Sequence, residues 1–179
     1  MKVLVTGAAG YIGSHTAFAL LQAGYDVVAL DNYSNSSPIS LQRVGELAKR
    51  EPTVIECDCG DSWALTEVFD EHSDIKAVLH FAAFKAVGES TERPLDYYRN
   101  NVSGSIALLQ VMEEFGVRDI VFSSSCTVYG EPEYVPIDEK HPDGNVSSPY
   151  GRTKFVMESA IKDLCESDSR WNAAILRYF

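Results

Sequence analysis

The sequence predicts a doubly wound α/β fold, a parallel sheet with helices on both faces, formed by residues 1–179 as one domain. Three observations predict it. Six short runs are nearly continuously apolar and rich in β-branched residues, as strands buried on both faces must be. Amphipathic stretches of roughly 11–25 residues separate them, the span a crossover between parallel strands requires. The first run ends in a glycine-spaced turn, TGAAGYIG, that opens a helix, and such alternation of strand and helix builds a parallel sheet.

Taken in order, the strands are KVLVT (2–6), DVVALD (26–31), TVIEC (53–57), AVLHFAA (77–83), DIVFSS (119–124) and AAILRYF (173–179). The longest helical pattern covers 95–115. Leu95, Tyr98, Val102, Ile106, Leu109 and Met112 form one apolar stripe there, and Leu108, Val111 and Phe115 a second. One stripe suits the sheet; the other suits a partner subunit or a neighbouring helix. The acidic, proline-containing stretch 130–148 reads as a long loop, either functional or surface decoration. Ser148 is an N-cap type and Pro149 a first-turn type, so a helix is expected from there. The last strand reaches the final residue, from which we expect a covering C-terminal domain to be missing.

Composition narrows the partners. The chain has 179 residues, 45% apolar and 23% charged, with a net charge of −11. That acidity argues against nucleic acid or an anionic membrane as partner, since both need basic patches. A phosphate-bearing small ligand is still compatible, because helix N-terminal amides hold anions whatever the net charge. Cys57, Cys59, Cys126 and Cys165 lack metal-site spacing and read as reduced, mostly buried thiols. No metal site is expected. The N-terminal apolar run is too short for a signal peptide and no stretch reaches a membrane span, so a cytoplasmic protein is expected.

The glycine turn carries the first functional reading. Gly7, Gly10 and Gly13 sit between strand and helix, where glycine allows a tight turn, close approach to a pyrophosphate and close helix–strand packing. Asp31 ends the second strand about 20 residues on, as this dinucleotide fingerprint requires. Its carboxylate can accept from ribose hydroxyls and repels a 2′-phosphate. The expected cofactor is therefore NAD rather than NADP, in a Rossmann-like domain.

The second reading starts from SSPYGRTK (147–154). Tyr150 and Lys154 lie at i and i+4 on one face of the first helical turns. A phenol near a helix N-terminus and an ammonium should have a depressed pKa and act as a general base. The pair alone is uninformative, since YxxxK occurs on many solvated helices. Three serines, Ser123, Ser124 and Ser125, close the fifth strand at its carboxyl end, where ligands bind in such sheets. Spacing does not choose among them.

Together the glycine turn, the serine run and YxxxK resemble the extended branch of the short-chain dehydrogenase/reductase superfamily. Within it, HFAAFKAVGESTERPLDYYRNNV, VFSSSCTVYGEP, PYGRTK and LRYF are similar to the UDP-glucose 4-epimerase family, over essentially the whole chain. That resemblance implies Ser125 as catalytic serine, Tyr150 as acid and base, and Lys154 on the nicotinamide ribose. It implies Gly7, Gly10, Tyr11 and Ile12 at the pyrophosphate, Asp31, Asn32, Asn35 and Ser36 at the adenosine ribose, and Asp58 with Cys59 at the adenine. Phe81, Ala82, Ala83, Lys85, Asn100 and Tyr178 complete the implied NAD site. Lys85, Ser125, Tyr150 and Phe179 border an implied UDP-sugar, and a homodimer is implied. Ala8, Phe84 and Cys126 depart from the residues frequent in the family without removing a functional group. The implied reaction is C4 epimerisation through a 4-keto sugar. A dehydratase or decarboxylase of the same branch, and a non-catalytic NAD-binding module, are the alternatives. The former would want an acid beside the serine, where Cys126 and Thr127 stand instead.

Overall fold

A computed structural model describes residues 1–179. Six parallel strands form one sheet in the order β3-β2-β1-β4-β5-β6: β1 (Lys2–Thr6), β2 (Asp26–Asp31), β3 (Thr53–Glu56), β4 (Ile75–His80), β5 (Asp119–Ser125) and β6 (Asn172–Tyr178). Helices α1 (Tyr11–Gln22) and α2 (Ile39–Ala48) belong to the first crossovers, and α3 (Ser62–Glu71) leads to β4. Two short helices, α4 (Val87–Glu92) and α5 (Pro94–Tyr97), precede a π-helical turn, Tyr98–Ser103, and α6 (Gly104–Glu114). Helix α7 (Pro149–Ser167) leads into β6.

Alternating side chains divide the strands between two cores, as a pleat of period two demands. Leu4, Val28, Leu30 and Val78 join the larger core under α3, α6 and α7; Val3, Val5, Val27 and Ala29 join the smaller one with α1 and α2. The order reverses between β1 and β4, so the crevice beyond their carboxyl ends is the switch point of the sheet. No helix is long and apolar enough to cross a membrane.

The differences from the sequence reading are local. Strand β4 begins two residues early and ends at His80, so Phe81–Ala83 leave the sheet and run over the crevice. Apolar character alone does not separate a strand from an apolar loop beyond it. The pattern 95–115 is broken by the π turn, which shifts the helical phase. Its second stripe is packed within the chain, with Leu108 and Val111 in the larger core and Phe115 against Phe69 of α3 at 5.7 Å between ring centroids. Leu95 is exposed. Strands β3 and β6 occupy the two sheet edges and are half open, with Val54 47% and Leu176 41% exposed, so these two runs are not covered on both faces. Of the four thiols, Cys57 and Cys59 are buried while Cys126 and Cys165 are partly exposed.

Candidate functional site

One cleft of about 450 Å³ opens at the switch point, and the catalytic, cofactor and substrate residues named from the sequence all line it. The β1–α1 turn forms its floor. Gly7 has φ +63° and faces the backbone of Ala82, where an added Cβ would lie 2.6 Å from the Ala82 nitrogen. Only glycine allows β1 and the strand-end segment 81–83 to approach this closely. Gly13 seats α1 on the same turn. The amides of Tyr11, Ile12 and Gly13 have no acceptor within the chain, and the Gly10 N-cap offers no side chain. Three unshared N–H groups at a helix N-terminus suit a phosphate.

Asp31 stands at the end of β2 as anticipated, yet its carboxylate is already engaged. Its Oδ2 accepts from the Ala9 amide at 2.9 Å; Oδ1 accepts from the Tyr33 amide at 2.9 Å and Ser36 Oγ at 2.7 Å. It therefore fastens the glycine turn to β2, and keeps only part of its acceptor capacity for a ribose. Asn32 donates to Asp58 at 2.7 Å, which draws the ends of β2 and β3 together beside Asn35 and Cys59.

At the other end of the cleft, Ser148 caps α7 by accepting from the Gly151 amide at 3.1 Å, with Pro149 at the first helical position. Tyr150 is 9% and Lys154 4% exposed. The three serines separate by function of their hydrogen bonds. Ser124 gives its proton to Glu158 at 2.5 Å, and the Ser123 carbonyl accepts from Lys154 Nζ at 2.6 Å. Ser125 Oγ accepts from the Thr127 amide at 3.3 Å and from Thr127 Oγ1 at 3.0 Å. With both donors of Thr127 directed at its oxygen, the Ser125 hydroxyl has its own proton to give in the cleft that Tyr150 also lines.

The electrostatics correct one expectation. Tyr150 is raised, not depressed: burial is the main cause, with the Ser125 hydroxyl working in the opposite direction. Burial also lowers Lys154 to about 8, and its amine points to the Ser123 carbonyl and over the Phe122 ring at 4.9 Å. The helix terminus and a lysine turned to a carbonyl do not offset the desolvation of the phenolate.

Residues that spacing could not reveal tie these parts together. Ser105 donates to the Asn101 carbonyl at 2.7 Å, so it accepts from His80 Nε2 at 2.8 Å; His80 Nδ1 then accepts from Thr6 Oγ1 at 2.7 Å. This assigns a neutral imidazole, in keeping with burial pushing His80 down to about 3. Asn101, in the π turn, accepts from the Phe84 amide at 2.8 Å and donates to the Phe84 carbonyl and to Thr153 Oγ1. Ser90 accepts from the Tyr150 amide at 3.2 Å. His80 inside the apolar run AVLHFAA was the only sequence signal for any of these.

The model of the NAD dependent epimerase/dehydratase family matches residues 3–179. The chain belongs to this family. It is 55% identical to the UDP-glucose 4-epimerase of Mus musculus over 184 residues, which cover 99% of this chain and 53% of that one. The Bacillus subtilis UDP-glucose 4-epimerase is 52% identical, covering 100% and 52%. Among solved structures, a UDP-glucose 4-epimerase from Bifidobacterium longum in complex with NAD+ and UDP superposes with a TM-score of 0.98 at 44% identity, covering 100% of this chain and 53% of that one. The chain thus spans about half the length of the curated relatives it matches. Membership in the NAD dependent epimerase/dehydratase family gives a chemical context to the one cleft where glycine turn, serine run and Tyr150–Lys154 meet.

Proposed function

We propose that residues 1–179 form the NAD-binding and catalytic domain of a UDP-glucose 4-epimerase that acts on a UDP-sugar as a homodimer. The observation that carries this reading is the convergence of the Ser125 hydroxyl, Tyr150 and Lys154 with three unshared helix amides in one cleft. The names of the relatives and the NAD+ and UDP in the Bifidobacterium longum structure support the cofactor and substrate.

In this reading the amides of Tyr11, Ile12 and Gly13 hold the pyrophosphate, and Asp31 with Asn32, Asn35 and Ser36 the adenosine ribose. Asp58 and Cys59 border the adenine; Phe81, Ala82, Ala83, Asn100 and Tyr178 shape the remainder of the NAD site. Lys85, Ser125, Tyr150 and Phe179 border the sugar. Bound NAD supplies hydride acceptance and return at C4. The chain's own residues handle the proton. Tyr150 takes it from the 4-hydroxyl, and Ser125, its oxygen already accepting from Thr127, bridges substrate and phenol. Lys154, whose Nζ rests on the Ser123 carbonyl, would hold the nicotinamide ribose, and its charge there would favour the Tyr150 phenolate.

The dehydratase alternative wants an acid beside the serine. Cys126 and Thr127 stand there, and the nearest buried acid, Glu158, lies behind Ser124 and outside the cleft. The test is a proton NMR time course of UDP-galactose with the complete gene product. UDP-glucose should appear, and Tyr150→Phe should slow it by about 10²-fold or more; a variant keeping most of the rate would sink the assignment.

A further inference from the structure

Directly behind the cleft lies a buried ion pair that the chemistry above does not use. Tyr150, Lys154 and Glu158 share one stripe of α7 at i, i+4 and i+8. The Glu158 side chain is 1% exposed. Its Oε1 accepts from Ser124 Oγ at 2.5 Å and Arg177 Nε at 2.9 Å, and Oε2 accepts from Arg177 Nη2 at 2.6 Å. Lys162 Nζ stands 3.6 Å away, at the surface. The Arg177 guanidinium lies 4.6 Å over the Tyr129 ring and also bonds Asp143 of the long loop. Tyr129 stacks on Phe179 at 6.4 Å between centroids.

The placement decides what this cluster can do. Ser125 caps a 3₁₀ turn, Cys126–Tyr129. Ser124 precedes that turn and Tyr129 closes it, so the ion pair grips both ends. Arg177 also fixes the end of β6, which carries Tyr178 and Phe179 into the cleft. A buried ion pair adds little net stability over apolar residues of similar size. A bidentate carboxylate–guanidinium pair does fix orientation.

We propose that Glu158 is a positioning residue: by joining Ser124 to Arg177 it holds the Ser125–Tyr129 turn where the Ser125 hydroxyl meets Tyr150. The inference rests on Tyr150 as the base and adds the group that aims its partner.

The test is an ultraviolet difference titration of Tyr150 in the complete gene product. Wild type and Glu158→Gln are each measured against their own Tyr150→Phe counterpart. Ser125, Cys126 and Tyr97, which face the phenol, are unchanged, as are Lys154 and Lys85 of the same cleft. Loss of a negative charge by itself lowers the phenol's midpoint or leaves it. Moving the Ser125 hydroxyl away from the phenol raises it, since that hydroxyl works against the effect of burial. The expected result is a rise of about half a pH unit or more. Turnover of UDP-galactose should fall about tenfold, with KM altered by no more than about twofold. Ser124→Ala cuts the same link without stranding a charge and should move the midpoint the same way, including where Glu158→Gln does not fold. A midpoint that stays or falls in the folded variants overturns the proposal. The titration needs no turnover, so a wild type that converts no UDP-galactose refutes the epimerase reading while the midpoint still decides the role of Glu158.

Discussion

Gly13→Ala isolates the steric demand of the β1–α1 turn. Gly13 is helical, so alanine there meets no backbone strain and even gains about 1 kcal/mol of intrinsic helix propensity. Space is the whole difficulty. A Cβ at Gly13 would lie 2.1 Å from the Gly7 carbonyl oxygen and 2.8 Å from Ala8 Cα, both backbone atoms. Ordinary contact begins near 3.4 Å, so helix and turn must part by about 1.3 Å. That displacement pulls on the Gly10 amide bond to the Gly7 carbonyl, 3.1 Å, and on the Ala9–Asp31 bond. Overpacking of this kind costs about 1–3 kcal/mol, and the rigid partner places this case near 3. Set against the gain in helix propensity, the net loss is about 2 kcal/mol, which for a domain of this size is a fall of about 4–8 °C in Tm. The helix amides move with the turn, and losing one charge-assisted bond at about 1.5–3 kcal/mol weakens NAD at least about tenfold. Gly88→Ala in α4 is the internal control, with nothing within 4 Å of its Cβ; it should be neutral or slightly stabilising. Thermal unfolding and NAD titration of the two variants make the assay. A Gly13→Ala protein that melts and binds NAD like the Gly88→Ala protein would refute the close-packing argument.

Two other outcomes follow from the same structure. Asp31→Asn strands part of a three-donor site and removes the charge that repels a 2′-phosphate; calorimetry should find NAD weakened about tenfold and the preference over NADP reduced, and an unchanged preference would remove Asp31 from the discrimination. His80 is pushed down to about 3, chiefly by burial and then by the Lys154 charge, whereas an exposed imidazole in the unfolded chain titrates near 6.5. The unfolded state therefore binds the proton first, and stability present above about pH 6.5 is lost as pH falls towards 3, at up to about 1.4 kcal/mol per pH unit from this group. Denaturant unfolding of His80→Gln between about pH 7 and 5 should give a shallower slope than wild type; parallel slopes would mean that His80 is not the group responsible.

Much of this architecture was legible because its determinants are local. Apolar runs without alternation specify the inner strands β1, β2, β4 and β5, and the glycines at the strand-to-helix junction specify a turn so crowded at Gly7 and Gly13 that no Cβ fits. Ser148 and Pro149 mark the start of α7 to the residue. Boundaries failed where one composition serves two structures, as at Phe81–Ala83, apolar yet outside the sheet. The π turn at Tyr98–Ser103 left no composition signal either, although it sets where Asn101 points.

The serine run shows why the chemistry was harder to read than the fold. Three identical side chains in succession differ only in what faces them: a lysine-bound carbonyl at Ser123, a buried carboxylate at Ser124, and two donors from Thr127 at Ser125. Each partner lies on another element or across a turn, so no window of sequence contains the distinction. The same holds for Tyr150. Helix position and the i+4 lysine argue for a depressed phenol, but burial is a property of everything packed around it and outweighs both. Residue types and spacing thus nominate groups for a task, while the proton that each has left to give is decided by long-range partners. Among those partners Glu158 is the one that holds Ser124 at one end of the turn that presents Ser125 and, through Arg177, reaches Tyr129 at the other.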